Sequence, residues 1–523
     1  MNRRLAGGAL LALLSAALLV VIWPSFGNLW WLTFVAFVPM YVAQYRVLPR
    51  RWSALAVAIA FGAYYFALFL HASSVLSIGP IIGIGIAAAI VGGVIGMFLR
   101  PFAERSNYRW FVVQLPLIWV AIDLFVQNNE IFGTYMWIAY RLAPVPELVQ
   151  PVSITGTPAL SLLIHVVNAA VALALIALID RTRPGLSGVP VPRRVLRFSV
   201  AIPVAAVALW AAASLLIYRD VTNRMGPQVR VAAVQPGLDN ATPGTLISAG
   251  NVTPGRTEEQ RIADQIAQLS AMTREAAAKG AKVVVWPEET LNYDPRVTRT
   301  DWIPALVRQT GVYLAMGFTP DATDGAAPNT GLLWSPQGDV QLVYYKTKRV
   351  IVEGEKFSPG KDYPTSATPQ GVLGMIICFD IDFPDGPARK VARNGAQMIL
   401  APSIDFASVA DVRAASTAFR AIENRVAMVK ADVAWDSVIV APTGRVVAST
   451  AVHTERGDQA LLVADVPLGP RGAPFTRFGG VPFQWLTYGA TLLLIGAMEV
   501  SWRLHRAAKR AEAAAAEAEA VKT

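Results

Sequence analysis

The chain has 523 residues, of which 54% are hydrophobic and only 16% are charged, and its formal net charge is +10. Soluble chains carry about 25% charged residues, so this composition excludes an ordinary soluble protein. The basic residues outside the middle of the chain lie between apolar runs, which indicates membrane topology rather than nucleic-acid binding. A single cysteine and four scattered histidines exclude an intrachain disulfide framework and show no metal-ligand spacing.

Eight apolar runs are long enough to cross about 30 Å of hydrocarbon as helices. They are approximately Leu5–Ile22, Leu29–Tyr45, Ser53–Leu70, Ser77–Leu99, Trp110–Val126, Thr157–Ile179, Phe198–Tyr218 and Trp485–Trp502. The first run alone could pass for a signal peptide, but six more runs follow before the soluble stretch, which favours an uncleaved helix. In the fourth run, Gly92 and Gly96 form a small-xxx-small pair, which predicts close helix packing.

Basic residues are concentrated in alternate connecting loops. They are Arg3 and Arg4 before the first run; Arg46, Arg50 and Arg51 after the second; Arg100, Arg105 and Arg109 after the fourth; Arg181, Arg183, Arg193, Arg194 and Arg197 after the sixth; and Arg503, Arg506, Lys509 and Arg510 after the eighth. Short cytoplasmic loops are enriched in such residues. We therefore expect both termini in the cytoplasm and Arg219–Pro482 outside it. The segment Glu130–Gly156 is either a re-entrant or interfacial element or an aromatic belt.

The stretch from Arg219 to about Pro482 has the composition of a soluble domain, and its pattern predicts alternating strands and helices. Strands are expected at Val229–Pro236, Ala281–Glu289, Gly371–Asp380 and Ala396–Ser403, helices at Thr257–Lys279 and Val412–Asn424, and a hairpin at Thr330–Lys346. Apolar residues recur at helical spacing between the first two strands. This alternation favours an α/β layered core.

Three reactive side chains of different types follow three of these strands. Glu288 comes after the VVVW strand, Lys346 ends the hairpin, and Cys378 ends the GMIIC strand. Reactive groups of open α/β sheets cluster beyond the carboxyl ends of strands. Each residue alone has an ordinary structural interpretation: a surface carboxylate, a solvated lysine and a buried apolar cysteine. The combination is more informative than any one of them.

These motifs resemble the Glu-Lys-Cys site of the nitrilase superfamily. The matching segments are WPEE (Trp286–Glu289), YYK (Tyr344–Lys346), ICFD (Ile377–Asp380) and RAIENR (Arg420–Arg425). Seven apolar runs before this domain and one after it are similar to the layout of the apolipoprotein N-acyltransferase family. The resemblance implies an α/β fold: a nitrilase-like αββα sandwich inserted between seven N-terminal transmembrane helices and one C-terminal transmembrane helix. The implied boundaries are a membrane domain at 1–218, an extracytoplasmic catalytic domain at 219–482, a helix at 483–504 and a cytoplasmic charged tail at 505–523.

The resemblance also implies a role for each matching residue. Glu288 is expected to be the general base, Lys346 the oxyanion stabiliser, Cys378 the nucleophile and Glu355 a second essential glutamate. Phe379 and Asp380 are expected to bind substrate or support the site. The implied reaction moves an acyl chain from a phospholipid, through a Cys thioester, to the N-terminal amine of a lipoprotein. It needs no cofactor, metal or nucleic acid, and it takes place at the inner or plasma membrane.

Two segments differ from those typical of the acyltransferases. Phe379-Asp380 stands where the family has Tyr-Glu, and PSIDFAS (Pro402–Ser408) stands where it has an Asn-Asp-x-Trp-Phe-like segment, with Asp405 and Phe406 as partial substitutes. Two other functions therefore stay open. One is a membrane-tethered amidase or nitrilase that hydrolyses an extracytoplasmic C–N substrate. The other is a non-catalytic membrane scaffold.

Overall fold

The computed structural model describes the chain except for residues 1, 24–25, 72, 74–75, 128, 132, 184–185, 187, 238–256, 321–326, 352–353, 451–457 and 521–523. The α-helices are α1 (Asn2–Val21), α2 (Val38–Val42), α3 (Leu55–His71), α4 (Ile78–Arg105), α5 (Phe111–Val126), α6 (Val152–Thr155), α7 (Thr157–Thr182), α8 (Arg193–Asn223), α9 (Glu258–Ala278), α10 (Trp302–Thr310), α11 (Pro387–Arg393), α12 (Ala407–Asn424), α13 (Pro474–Phe478) and α14 (Val481–Ala520). The strands are β1 (Gln228–Gln235), β2 (Val283–Val285), β3 (Tyr313–Phe318), β4 (Thr330–Trp334), β5 (Val340–Tyr345), β6 (Thr365–Thr368), β7 (Gly371–Met375), β8 (Met398–Ser403), β9 (Ala427–Asp432), β10 (Val438–Val440), β11 (Val446–Ser449) and β12 (Ala460–Pro467).

The chain divides into two compact units. One comprises Met1–Leu124, Ser161–Leu209 and Phe483–Thr523, and the other comprises Phe125–Leu160 and Trp210–Pro482. Six helices among the described residues, α1, α3, α4, α7, α8 and α14, are long and apolar enough to cross a membrane, and α5 is a shorter apolar helix. The expected count of seven spanning helices before the soluble domain and one after it is therefore not confirmed, although the chain is a membrane protein.

The second apolar run, Leu29–Tyr45, does not form the continuous helix that its hydropathy predicts. It consists of a 3-10 turn at Trp30–Phe34, the short helix α2 and a π-helical turn at Ala43–Val47. These breaks leave main-chain amide and carbonyl groups without helical hydrogen bonds, and polar side chains from distant helices bind such groups. Asn168 accepts a hydrogen bond from the Phe37 amide at 3.0 Å and donates one to the Thr33 carbonyl at 2.9 Å. Such partners are what irregular backbone requires in an apolar environment.

This irregular segment nevertheless runs antiparallel to α1 along most of its length. The Leu29 amide donates to the Val21 carbonyl at 3.4 Å, near the end of α1. The Met40 amide donates to the Ser15 hydroxyl at 2.8 Å, in its middle. Close to the start of α1, Gly7 lies beside Val47, because a Cβ atom on Gly7 would be in van der Waals contact with the Val47 side chain at 3.6 Å.

Small residues allow α3 and α4 to pack closely, as the glycine pair in the fourth run predicts. A Cβ atom on Gly92 would lie 3.0 Å from the Val57 carbonyl oxygen, and one on Gly96 would lie 3.1 Å from the Ala54 Cα. Contacts that close exclude larger residues unless the helices separate. The small-xxx-small interpretation is confirmed.

The second unit contains two six-stranded sheets with the same pattern of pairing. Their strand orders are β12-β1-β2-β3-β4-β5 and β11-β10-β9-β8-β7-β6. Each has three adjacent parallel strands, β1–β3 in the first sheet and β7–β9 in the second, flanked by antiparallel strands. All four strands, the hairpin and both helices predicted in this stretch are observed, with bounds that differ by a few residues. The helix α9 begins with a capping box between Thr257 and Gln260.

Alternating side chains of each sheet face two different apolar layers. In β1, Val229, Val231 and Ala233 belong to the core between the sheets, whereas Ala232 and Val234 pack with α9 and α10 on the outer face. The outer face of the second sheet packs against α11 and α12. The predicted αββα sandwich is thus confirmed.

The segment Phe125–Leu160 belongs to the same compact unit as the sandwich, whereas the sequence boundaries place it in the membrane domain. Its polar side chains explain this: the Thr134 hydroxyl donates to the Asp382 carbonyl at 2.8 Å, and the Thr157 hydroxyl donates to Glu423 at 2.6 Å. Hydrogen bonds between residues this far apart in sequence leave no periodic pattern, so hydropathy could not reveal them.

Candidate active site

The three reactive residues come from both sheets of the sandwich. Glu288 lies three residues beyond β2 and Lys346 directly follows β5, both in the first sheet. Cys378 lies three residues beyond β7 in the second sheet, at the first position of a 3-10 turn that extends to Asp382. The strand ends therefore supply all three groups, although the second and third predicted strands end before Glu288 and Cys378.

The backbone at Cys378 has a conformation that is unusual for a residue with a side chain. Its φ is +42°, in the left-handed region, where a non-glycine residue costs about 1–3 kcal/mol. The preceding amide, of Ile377, donates to a carboxylate oxygen of Asp380 at 3.1 Å, which stabilises the turn. The side chain is buried, with Cys378 only 4% exposed. The thiol thus lies on a sharp, fixed turn.

Two carboxylates bind the Lys346 ammonium. Its Nζ donates to Glu288 Oε1 at 2.9 Å and to Glu355 Oε1 at 2.6 Å, and Lys346 is almost fully buried. Burial alone would lower the pKa of Lys346, but the charges of Glu288 and Glu355 outweigh it and hold this pKa well above its ordinary value. Lys346 therefore remains a cation throughout the physiological pH range.

Three donors hold Glu288 in place. Its Oε1 accepts from Lys346 and from the Asn329 side-chain amide at 2.7 Å, and its Oε2 accepts from the Ile404 amide at 3.1 Å. Burial raises the pKa of Glu288 more than the attraction of Lys346 lowers it. A carboxylate with a raised pKa is a stronger base than an exposed glutamate, which suits proton abstraction near neutral pH.

The Cys378 sulfur lies against the loop that follows β8. Its Sγ is 3.3 Å from the carbonyl oxygen of Ile404, the residue whose amide binds Glu288, and 3.8 Å from Asp405 Oδ1. Burial, then the negative charges of Glu288 and Asp405, raise the pKa of the thiol well above its ordinary value, against the opposing effect of Lys346. The resting thiol is consequently protonated, and it needs a base to become a nucleophile.

Glu355, the fourth predicted residue, connects the lysine to the loop that follows it. Besides Lys346, it accepts from the Val350 amide at 2.5 Å through Oε2. The ring of Phe357 lies 5.8 Å from the Lys346 ammonium. Glu355 thus orients the Lys346 ammonium. The other carboxylate partner of Lys346, Glu288, is the one beside the thiol.

Asp380 connects the cysteine turn to the lysine strand. One carboxylate oxygen accepts from the Tyr344 hydroxyl at 2.6 Å as well as from Ile377. The other accepts from the Thr347 amide and hydroxyl, at 3.2 and 2.8 Å, and from the Lys348 amide at 2.9 Å. All of these donors come from the cysteine turn and the lysine strand with the residues that follow it. The buried Asp380 carboxylate therefore supports the site, and neither of its oxygens is exposed to a substrate.

Phe379 lies beside the thiol turn and is also buried. Its ring contacts the Phe383 ring at a centroid distance of 5.1 Å and stacks beneath the Arg413 guanidinium at 4.9 Å. A cation over an aromatic face is attracted by the ring quadrupole. The ring therefore holds Arg413, which in turn lies 3.5 Å from Asp382 and 3.6 Å from Asp405.

Sequence reasoning missed one group that contacts a reactive residue and a buried cation that contacts Asp405. Asn329 binds Glu288, and the Lys430 ammonium lies 2.7 Å from Asp405 and 3.3 Å from Asp432. Asn329 immediately precedes the predicted hairpin and Lys430 lies on β9, but no sequence pattern links either residue to its distant partner, Glu288 or Asp405. In the described part of the chain, no group of three or more His, Cys, Asp or Glu side chains is arranged to hold a metal ion.

Comparison with known proteins matches both parts of the chain. The carbon-nitrogen hydrolase model matches residues 230–472, and the apolipoprotein N-acyltransferase N-terminal domain model matches residues 15–170. An apolipoprotein N-acyltransferase of Geobacter metallireducens is 26% identical over 91% of this chain and 92% of its own length. The chain belongs to the apolipoprotein N-acyltransferase family.

Other relatives match the sandwich alone. An omega-amidase of Danio rerio is 26% identical over 39% of this chain and 83% of its own length. Among solved structures, an amidase from Nesterenkonia sp. is 21% identical over 50% of this chain and 97% of its own, with a TM-score of 0.38. The omega-amidase is a distant relative within the carbon-nitrogen hydrolases. Family membership makes this chain an acyltransferase.

Proposed function

We propose that this protein moves a fatty acyl chain from a phospholipid to the N-terminal amine of a diacylglyceryl-cysteine lipoprotein. One observation carries the proposal: Lys346 binds Glu288 and Glu355 beside the single cysteine of the chain, and the same chain matches the N-terminal domain of apolipoprotein N-acyltransferases. Both substrates are lipids or lipid-modified, and a membrane enzyme can meet them in the bilayer.

In the first step, Cys378 attacks the ester carbonyl carbon of the phospholipid as its thiol proton passes to Glu288. The new C–S bond leaves an oxyanion, which the Lys346 ammonium stabilises. Collapse of this intermediate breaks the ester C–O bond, and the proton on Glu288 moves to the departing alkoxide. A lysophospholipid leaves, and the acyl chain remains on Cys378 as a thioester.

In the second step, the lipoprotein amine attacks the carbonyl carbon of the thioester. A C–N bond forms, Lys346 again stabilises the oxyanion, and collapse breaks the C–S bond. Glu288 takes a proton from the nitrogen and gives it to the departing sulfur. The products are the amide and the regenerated thiol, so the mechanism predicts ping-pong kinetics.

For the topology, we propose eight crossings, with both termini in the cytoplasm and residues 219–482 outside it. The alternation of basic loops supports this arrangement. The antiparallel path of the second apolar run beside α1 supports counting that run as a crossing despite its breaks. The proposed domains are those predicted from sequence: 1–218, 219–482, 483–504 and the tail 505–523, with Phe125–Leu160 packed in the sandwich unit.

The proposal is tested by incubating the purified protein with phospholipid and determining the mass of Cys378-containing peptides. A thioacyl adduct should form, and adding a diacylglyceryl-cysteine peptide should discharge it to give an N-acylated peptide. Turnover of a soluble amide without any thioacyl adduct would replace the acyltransferase with the amidase alternative. Failure of both reactions, and of labelling by a thiol-directed activity probe, would favour the scaffold.

A further inference from the structure

A second carboxylate, that of Asp405, lies against the nucleophile. Asp405 is in the loop between β8 and α12, is 1% exposed, and has Oδ1 3.8 Å from the Cys378 sulfur. It reaches the sulfur from a different loop than Glu288, and its partners are also different. The proposed proton transfers through Glu288 leave Asp405 without a role.

The surroundings of Asp405 keep it ionised. Lys430 lies 2.7 Å from its Oδ2 and Arg413 lies 3.6 Å from its Oδ1. Burial alone would raise the pKa of Asp405, but Lys430 and Arg413 outweigh it and hold this pKa below its ordinary value. A carboxylate with a lowered pKa is a poor proton acceptor, so it can contribute a fixed negative charge but no general-base catalysis.

That charge opposes the first half of the reaction. It raises the pKa of the Cys378 thiol and so disfavours the thiolate that attacks the phospholipid. Once the sulfur is acylated, it has no proton to donate, so the contact between the sulfur and Asp405 Oδ1 no longer contains a donor, and Oδ1 keeps only the longer contact with Arg413 at 3.6 Å. A buried, ionised oxygen that loses a donor favours a new one.

We propose that Asp405 binds the amine of the acceptor and holds it for attack on the Cys378 thioester. This inference rests on the proposed function. An α-amino group has an ordinary pKa of about 7.7–8.0, so the acceptor arrives largely as an ammonium, which a fixed carboxylate attracts more than it attracts neutral water. Asp405 thereby favours acyl transfer over hydrolysis of the thioester.

The protons balance as follows. The bound ammonium first releases one proton to solvent, which leaves a neutral amine hydrogen-bonded to Asp405. As the nitrogen attacks and the C–S bond breaks, a second proton passes through Glu288 to the departing sulfur. The last N–H hydrogen stays on the amide product, and Asp405 is never protonated.

The test measures the two half-reactions separately in Asp405→Asn and in a matched control, Asp432→Asn. Asp432 also contacts Lys430 and accepts from the Asp405 amide at 3.0 Å, but it has no hydrogen bond to the sulfur. For Asp405→Asn, the thioester should form at least as fast as in the wild type. Transfer to the peptide should slow about 10- to 100-fold, which corresponds to the loss of one charge-assisted hydrogen bond. Thioester should accumulate, and a larger share should be hydrolysed.

A further readout distinguishes this role from a structural one. Without the Asp405 charge, alkylation of Cys378 by iodoacetamide should begin at lower pH, whereas Asp432→Asn should leave that profile nearly unchanged. Equal slowing of both half-reactions in Asp405→Asn, or transfer at the wild-type rate, would overturn the inference. If Asp405→Asn does not fold, a double variant that combines Asp405→Asn with Lys430→Gln removes both charges of the pair. The same rates and the same alkylation profile are then measured for it. A wild-type protein that never acylates the peptide would refute the proposed function instead.

Discussion

The Asp380 carboxylate accepts a hydrogen bond from the Tyr344 hydroxyl at 2.6 Å. This bond connects the turn that begins at Cys378 to β5, the strand that Lys346 follows. The two segments belong to different sheets. Burial raises the pKa of Asp380, against the opposing effect of Tyr344 and its other donors. The distance between nucleophile and ammonium therefore depends on this one side chain.

Substitutions of Asp380 and Tyr344 should affect the reaction in proportion to the number of hydrogen bonds that are lost. Asp380→Ala removes the acceptor of five donors, and we expect thioester formation to fall at least about 100-fold, because leaving buried donors unpaired costs about 1–3 kcal/mol each. Tyr344→Phe removes one donor and should lower the free energy of unfolding by only about 1 kcal/mol. Adduct formation and thermal unfolding would be measured for both. Equal activity of the two variants would contradict this account.

Variants of the three reactive residues should differ in the step that they block. Cys378→Ala should abolish both the adduct and the acylated peptide. Glu288→Gln should suppress adduct formation, since the thiol loses its base. Lys346→Ala should slow both half-reactions by about 10²–10³, the usual effect of removing an oxyanion-stabilising group. The measurement is single-turnover acylation followed by peptide discharge, with exposed Lys279→Ala as a control. A Cys378→Ala protein that still acylates the peptide would refute the covalent route.

The pH dependence of the two thiol reactions should differ. Burial raises the pKa of Glu288, so this base becomes protonated as the pH falls through a value above the ordinary 4.3 or so of glutamate. Thioester formation from phospholipid should be lost along that acid limb. The raised pKa of Cys378 means that direct alkylation should increase only above about pH 8.5.

Rates of both reactions would be measured across the same pH series. Glu288→Gln should remove the acid limb of the phospholipid reaction and leave an alkylation profile shifted to lower pH, because Glu288 is one of the charges that raise the thiol pKa. Coincident profiles for the two reactions in the wild type would mean that the thiolate forms without Glu288.

The orientation in the membrane can be tested with introduced cysteines, because Cys378→Ser leaves the chain free of cysteine. In this background, Val297→Cys, at a position that is 78% exposed, should react in intact cells with a membrane-impermeant maleimide. Ala507→Cys, in the exposed C-terminal part of α14, should react only after permeabilisation. The reverse labelling pattern would overturn the assignment of the termini to the cytoplasm.

Local patterns in the sequence predicted the α/β core, and short motifs that resemble those of the nitrilase superfamily implied the sandwich and the roles of the three reactive residues. Apolar strands such as β1 and β8 are continuous in sequence, and the motifs around Glu288, Lys346 and Cys378 are short. Asn329 and Lys430 depend instead on how distant segments meet. A buried cation in a strand has no pattern of its own, and Asp405 comes to Lys430 from the loop after the neighbouring strand β8. The long-range partners of the site were therefore beyond reach.

Hydropathy misjudged the second apolar run for a related reason. Its composition is that of a spanning helix, but it contains Pro39, which lacks an amide hydrogen and is tolerated only in the first turn of a helix, where it lies in α2. The breaks are tolerated because Ser15 and Asn168 bind main-chain groups that the helix would otherwise have paired. Side chains on other helices decide this, and a sliding window cannot detect them.

The dependence of this run on Asn168 constrains the order of events during biosynthesis. Asn168 follows Phe37 by 131 residues, so the ribosome completes three later apolar segments before the partner of the Phe37 amide exists. A peptide group left unpaired in hydrocarbon costs several kcal/mol, which makes early release of the run into lipid unfavourable. The nascent chain should therefore keep this run beside α1 or the insertion machinery until α7 emerges, and membrane integration of this protein is a cooperative event rather than a helix-by-helix one.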